Sequence, residues 1–364
     1  MKITIKRTED QLALVRAMGS NNREEAYEAQ AAVAELLGPV VTEVINNAVT
    51  VGNLFTTLTY QADDNPSLPL DLFHDITDED YVQVYSQQVA GGLPYNQVFP
   101  AHNELKFSTY TLDSALAFDR KYAKKARVDV VSKTFTRMAQ EVMLKQERTA
   151  FNVLASALVA GDSISASAGD HIIAAAGTSL VLDDLNNLIT KSKRINSSFV
   201  GGTPVGGSKA GVTDLLVSPE VVEDIRAMAY NPVNTRQATS GTTSITAPEE
   251  LRSQLYSAAG LPSFYGINIV EVLEMGSGQR FNKIFDAVKG GVSFTEGSEQ
   301  ILIGVDRSRD ALLRPVVLDE GSTGELNVLV DDQFSVRQNK IGYYGKVEEG
   351  RVCIDDRALC GIIL

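Results

Sequence analysis

Several stretches carry residue types that could do chemistry. Residues 201–211, GGTPVGGSKAG, hold enough glycine to suggest a phosphate cradle. A nucleotide loop needs Gly-Lys-Ser/Thr in that order, after a strand and opening a helix, so that backbone N–H groups surround the phosphates and the lysine reaches them. Here the order is Gly207-Ser208-Lys209 and a strand pattern follows, so the segment reads as a surface loop. GSGQRF at Gly276 lacks the third glycine of a dinucleotide fingerprint and reads as a turn. The run Asp71, Asp75, Asp78, Glu79 and Asp80 offers the hard oxygen ligands that calcium takes. It lacks the alternate-residue spacing and mid-loop glycine of a helix–loop–helix site, and reads as a solvated or partner-facing acidic face. His74, His102 and His171 form no HExxH or HxH arrangement, Cys353 and Cys360 lack zinc-ligand spacing, and no Gly-x-Ser-x-Gly elbow is present. No catalytic residue, cofactor-binding residue or metal ligand is assigned, which weakens an enzymatic reading. A site assembled from residues distant in the chain stays open.

The composition sets further bounds. The chain has 364 residues, 44% of them hydrophobic and 22% charged, enough for a large core in one elaborated domain or two to three smaller ones. A net charge of −13 argues against a protein that reads nucleic-acid sequence, which needs a basic face, but not against a wall that encloses nucleic acid. Two cysteines make no disulfide framework and read as core thiols in a reducing compartment. No apolar run suits a signal peptide or a membrane span. The sequence begins at Met1, so removal of an N-terminal propeptide is not expected.

The elements that would position any site follow from pattern. Residues 8–47 read as helical: one piece ends at Gly19, a second starts after Asn21 or Asn22 and ends at Gly38, and a short turn follows. NLFTTLTYQ and ELKFSTYTLD, rich in Thr, Phe and Tyr, read as strands flanking acidic, turn-rich segments. Such a two-stranded excursion has few aliphatics and must lie on something else, because a lone hairpin is marginal in water. Residues 119–160 contain no proline and no glycine, and apolar residues at Val128, Val131, Phe135, Met138, Val142, Ala150, Val153, Leu154 and Ala157 keep helical spacing. That predicts one helix of about 35 to 40 residues, roughly 55 Å, packed lengthwise on a sheet. Beyond Asp183 the pattern is mixed. DDLNNLITKSKRIN is a helix charged to match its dipole, and TDLLV is a buried strand. Ser218 and Pro219 open the next helix, a second such device follows at Pro248, and FYGINIVEVLE is a strand. From KIFDAVKGGVSFTEG to the C-terminus the chain reads as β.

Charge is distributed unevenly along these elements. Glu24–Phe118 holds fourteen acids against one base, Lys106, whereas Asp119–Arg148 holds nine bases against four acids. An extended acidic arm beside a basic helix suggests docking, either back on its own helix or onto that of a neighbouring copy. Opposite charge registers such contacts more than it adds affinity. Repeated around a ring, a contact between copies is heterologous and closes an assembly.

The order of these elements resembles that of tailed-bacteriophage major capsid proteins with the Hong Kong 97-type shell fold, over nearly the whole chain. The phrases that carry the resemblance are the helix from about Lys121 to Ala160, TDLLVSPEVVEDIRAM, FYGINIVEV at 264–272, ILIGVDRSRDALLRPVV and the terminal FSVRQNKIGYYGKVEEGRVCIDDRALCGIIL. The resemblance implies an α+β chain with an N-terminal arm over 1–52, an extended β-hairpin (the E-loop) over 53–112, and a spine helix with part of a peripheral domain over 113–180. An axial domain over 181–290 would meet its copies at the ring centre, and return strands would fill 291–364. It implies hexamers and pentamers of one chain around a DNA genome, in a virion made in the host cytoplasm, with scaffold, portal and decoration proteins as further partners and no cofactor. The E-loop would lie across the neighbouring subunit, its acids Asp71, Asp75, Asp78, Glu79 and Asp80 meeting spine-helix bases Arg120, Lys121, Lys124, Lys125 and Arg127. Some members cross-link through a lysine of the E-loop. Lys106, on the returning strand rather than the tip, predicts none here. Encapsulin nanocompartments share the fold, and a soluble enzyme with a scattered site is the second alternative.

Overall fold

The computed structural model describes residues 8–48, 50–62, 64, 66–69, 104–164, 171–175, 177–196, 211–230, 263–264, 266–318, 325–331 and 338–364. The protein is a mixed helix-and-sheet chain that divides into two compact units. The first comprises Met1–Pro66, Phe107–Ala150 and Leu313–Val352. The second comprises Ser67–Lys106, Phe151–Leu312 and Cys353–Leu364.

In the first unit, α1 (Glu9–Met18) stops at Gly19 as the sequence predicts, and α2 (Arg23–Ala48) opens after Asn22. Gly38 does not end α2; the helix continues through Pro39. Proline removes only the bond to the Glu35 carbonyl, and both residues face solvent. Val33, Leu37, Val41 and Ile45 form one buried stripe across the break, and Thr42 Oγ1 donates to the Gly38 carbonyl at 3.1 Å. Packing of the apolar stripe outweighs the missing bond.

The sheet of this unit is organised around β12 (Lys340–Glu349). β4 (Tyr110–Asp119) runs antiparallel to it along its whole length, from Asp119 opposite Lys340 to Tyr110 opposite Glu349. β11 (Asn327–Asp331) pairs antiparallel with its middle and β10 (Leu312–Leu318) with its end. β1 (Thr56–Gln61) adds parallel to β10. The long helix α4 (Val128–Ile164, 37 residues) has the predicted length and stripe. Its Val128, Val131, Phe135, Met138 and Val142 belong to one cluster with Phe118, Ile341, Tyr343 and Val347 of the sheet and with Met18, Val33 and Leu37. Phe135 and Tyr343 meet with ring centroids 5.0 Å apart. The helix therefore lies on a sheet rather than in a coiled coil.

The helix starts at Val128, seven residues later than expected. A separate short helix, α3 (Arg120–Lys124), ends in a Schellman turn: Ala126 adopts φ 49°, its N–H reaches the Ala123 carbonyl at 2.8 Å, and Arg127 N–H reaches Tyr122 at 2.9 Å. Glycine usually fills that left-handed position because a Cβ there is strained by about 1–2 kcal/mol. Ala126→Gly is accordingly expected to stabilise the protein by about 0.5–1 kcal/mol, seen as a raised midpoint in denaturant.

The second unit holds a six-stranded sheet in the order β5 (Ile172–Ala174), β13 (Leu359–Ile363), β9 (Ile301–Val305), β6 (Asp214–Val217), β8 (Ile267–Glu271), β7 (Ser263–Phe264). α5 (Leu182–Asn196) and α6 (Pro219–Tyr230) supply Leu185, Leu188, Val221 and Ile225 to its core. Ser218 caps α6 as predicted, its Oγ accepting from Val221 N–H at 3.3 Å. The segment read as β from Lys283 is instead helical: α7 (Arg280–Val288) buries Phe281 and Phe285, with Phe281 stacked on Phe151 of α4 at 4.2 Å. The period that identifies it starts at Phe281, upstream of the stretch read as strand. β2 (Ser67–Pro69) and β3 (Glu104–Lys106) form a separate antiparallel pair, with Ser67 opposite Lys106. The Pro248 segment lies outside the described residues.

Candidate assembly surface and its buried ionic anchor

Of the residues expected to make contacts between copies, Asp71, Asp75, Asp78, Glu79 and Asp80 lie outside the described residues, as do His74, His102 and residues 201–210 of the glycine-rich loop. The five bases are described, and none is on the long helix. Arg120, Lys121 and Lys124 sit on α3, and Lys125 and Arg127 on the turn after it. Lys121 pairs with Asp119 at 2.9 Å and lies over the Tyr122 ring, and Lys124 donates to the Asn21 side chain at 2.9 Å. Hydrogen bonding and charge from Asp119 raise the Lys121 pKa. The exposed face of α4 itself is mixed, with Arg137 and Glu141 paired one turn apart at 3.0 Å. The basic excess is concentrated at the knuckle between two helices.

A second exposed feature has no counterpart in the sequence reading. Tyr27, Ala31 and Ala34 of α2 and Leu326–Val330 at β11 line a groove of about 250 Å3. At its edge Tyr27 is 48% exposed and Leu329 49%. Apolar side chains clustered on one face mark interaction surfaces, whereas single ones do not.

Beneath these surfaces the first unit is fixed by ionic contacts that join segments far apart in sequence. Glu349, fully buried at the end of β12, accepts from Arg314 Nε at 2.7 Å, Gln146 Nε2 at 3.1 Å and the Tyr110 hydroxyl at 3.2 Å. Arg351 Nε lies 3.6 Å from the same carboxylate, and Arg314 also pairs with Glu325 at 3.0 Å. Burial alone would lower the Arg314 pKa, but the charges of Glu349 and Glu325 more than offset it and hold the guanidinium protonated. Burial, and then the Glu349 charge, push the Tyr110 phenol up to about 12. One residue further along α4, Glu147 accepts from the backbone N–H groups of Thr50 at 2.7 Å, Val51 at 3.0 Å and Gly52 at 3.3 Å. That carboxylate anchors the chain between α2 and β1.

His171 is buried and its Nδ1–H donates to the Leu359 carbonyl at 3.1 Å. Among the described residues no group of three or more His, Cys, Asp and Glu could hold a metal ion, and no helix is long and apolar enough to cross a membrane. Cys353 and Cys360 are both free thiols, pushed up to about 12 chiefly by burial. The thiolate is the nucleophile, so native protein at pH 8 is expected to take up essentially no iodoacetamide and unfolded protein two equivalents. Rapid labelling of the native chain would contradict the core-thiol reading.

No family model and no curated protein matches the chain. Among solved structures it is similar to Microbacterium phage Oxtober96 (13% identity, 87% of this chain and 90% of that one, TM-score 0.48). It is similar to the mature capsid of bacteriophage PhiM1 (11% identity, 86% of each chain, TM-score 0.48). It is also similar to the holo-SrpI encapsulin complex of Synechococcus elongatus PCC 7942 (12% identity, 87% and 88%, TM-score 0.43).

Proposed function

We propose that this chain is the major shell protein of a tailed phage, a structural rather than catalytic protein. Copies of it assemble into the hexamers and pentamers of an icosahedral head that encloses DNA without reading its sequence. The observation that carries this reading is the stem formed by β2 and β3. Pro69 stands opposite Glu104, so a three-residue ladder brackets, in the sequence, the stretch that carries all five acids of the run. A ladder of that size has no independent stability and needs a surface to lie on. The exposed bases Lys125 and Arg127 and the groove between α2 and β11 provide such surfaces on a neighbouring copy. A helix of 37 residues laid on a sheet gives each subunit a stiff member between such contacts. The virion is its location, synthesis is in the host cytoplasm, and scaffold, portal and decoration proteins are the partners this role brings.

Electron microscopy of the purified chain, with sedimentation of the same sample, tests the reading. Closed shells tens of nanometres across are expected, with the neighbouring phage-type genes supplied if the chain alone stays small. No particle under either condition would end the proposal. DNA inside particles made during infection supports the phage head, and protein cargo supports a nanocompartment. Reversal of Asp78, Glu79 and Asp80 to lysine is expected to impair assembly while leaving the subunit folded. Normal shells from that variant would remove the electrostatic part.

A further inference from the structure

A cavity of about 200 Å3 opens in the first unit beside the ionic cluster. Arg314, Arg351 and Gln146 contribute its buried polar lining, and the exposed residues Asn46, Asn53 and Thr57 also line it. No carboxylate is among its lining residues. Glu349 is fully buried and already engaged by Arg314, Gln146 and Tyr110, so it offers Arg351 only a 3.6 Å approach, beyond a hydrogen bond. The Arg351 side chain is 2% exposed, and its Nε and Nη1 donors meet no acceptor among the described residues. Its guanidinium lies 5.1 Å over the Phe55 ring, which fixes its position without providing a lone pair in its plane. Buried donors of an ion that cannot lose its proton are expensive to leave idle, and native proteins almost always give them an acceptor.

We propose that this cavity binds a small oxyanion of the phosphate or carboxylate class, with Arg351 as its principal ligand. Two guanidinium groups exclude a cation. Several acceptor oxygens on one anion match Arg351 together with the side-chain amide of Gln146 better than chloride does, because charge-assisted N–H···O contacts are directional. Glu325, the other partner of Arg314, is 20% exposed and shares its charge with water, so Arg314 and Arg351 share the one fully buried carboxylate of Glu349. The site stands whether or not the chain forms shells.

Thermal unfolding of the full-length chain at constant ionic strength tests it, with inorganic phosphate in one arm, acetate in a second and chloride as the reference. Above Kd, each tenfold increase in a bound anion raises the folded-to-unfolded ratio about tenfold and so raises Tm. A response to phosphate alone assigns phosphate, and a response to acetate as well assigns the wider carboxylate class. Arg351→Gln is expected to weaken the anion at least tenfold. Because removing the buried Arg351 also perturbs folding, Thr57→Glu, an exposed substitution on β1 that tethers a carboxylate at the cavity, gives an independent reading. It is expected to raise Tm without added anion and to abolish the phosphate response. Phosphate and acetate that act only as chloride does, or a full phosphate response in Thr57→Glu, would overturn the site and leave water as its occupant.

Discussion

Glu349→Ala is expected to cost the first unit about 3–5 kcal/mol, the range for breaking a buried ion pair from one side. The carboxylate has no exposed surface, and Arg314, its closest partner, is 7% exposed. Removing it leaves two buried guanidinium groups short of a counter-charge and strands the donors of Gln146 and Tyr110. Proteins of ordinary stability have about 5–15 kcal/mol in total, so this one change should move the denaturant midpoint of the first unit by a large fraction. Glu325→Ala removes a partner that is 20% exposed and should cost about 1 kcal/mol or less. Combining Arg314→Met with Glu349→Leu should cost less than the two single changes added, because the pair is removed together. An optical readout is independent of unfolding. The Tyr110 phenol, held up to about 12 by burial and by the Glu349 charge, should titrate lower in Glu349→Ala yet stay above its ordinary value, since burial remains. A stability loss below about 1 kcal/mol would show that the arginines reach water in solution.

What the sequence made legible followed physical range. The stripe from Val128 to Ala157, the Ser218 cap and the stop at Gly19 are local signals, and each appears where it was read. The errors arose where another force overrode or imitated the local signal. Ala126 ends α3 in a conformation normally left to glycine, so no punctuation separated the two helices, and the bases before it were assigned to the wrong element. Gly38-Pro39 is strong punctuation, yet the buried stripe from Val33 to Ile45 carries α2 through it. The stretch from Lys283 shows a helical period only together with Phe281, which starts it. The ionic anchor was invisible for a different reason. Glu349 draws its partners from β4, α4 and β10, up to 239 residues away, and no spacing rule connects them before the sheet register is known. Composition places Cys360 in the core, because a thiol without a framework or ligand spacing behaves as a small apolar group, whereas Cys353 is only half-buried.

The largest effect on assembly is expected from the groove rather than from the charged knuckle. Tyr27→Asp combined with Leu329→Asp should abolish shells while shifting subunit stability by no more than about 0.5 kcal/mol, since both side chains are about half exposed. Covering a half-exposed leucine or tyrosine contributes of order 1 kcal/mol by area, and a charge put in its place must be stripped of water on contact, so the sign at that contact reverses. Each 1.4 kcal/mol is a factor of ten per contact, and a closed shell repeats every contact in every subunit. A modest local loss therefore becomes complete failure to close. Reversing the exposed bases Lys125 and Arg127 acts through screened charges worth about 0–1 kcal/mol each, and should slow assembly and raise its salt sensitivity without abolishing it. Electron microscopy and sedimentation of the two variants at low and high salt separate these cases. Normal shells from the groove variant would show that the groove between α2 and β11 is left uncovered in the particle. Loss of shells from the basic variant at every salt concentration would shift the dominant contact to the knuckle, where Ala126 turns the chain into the long helix.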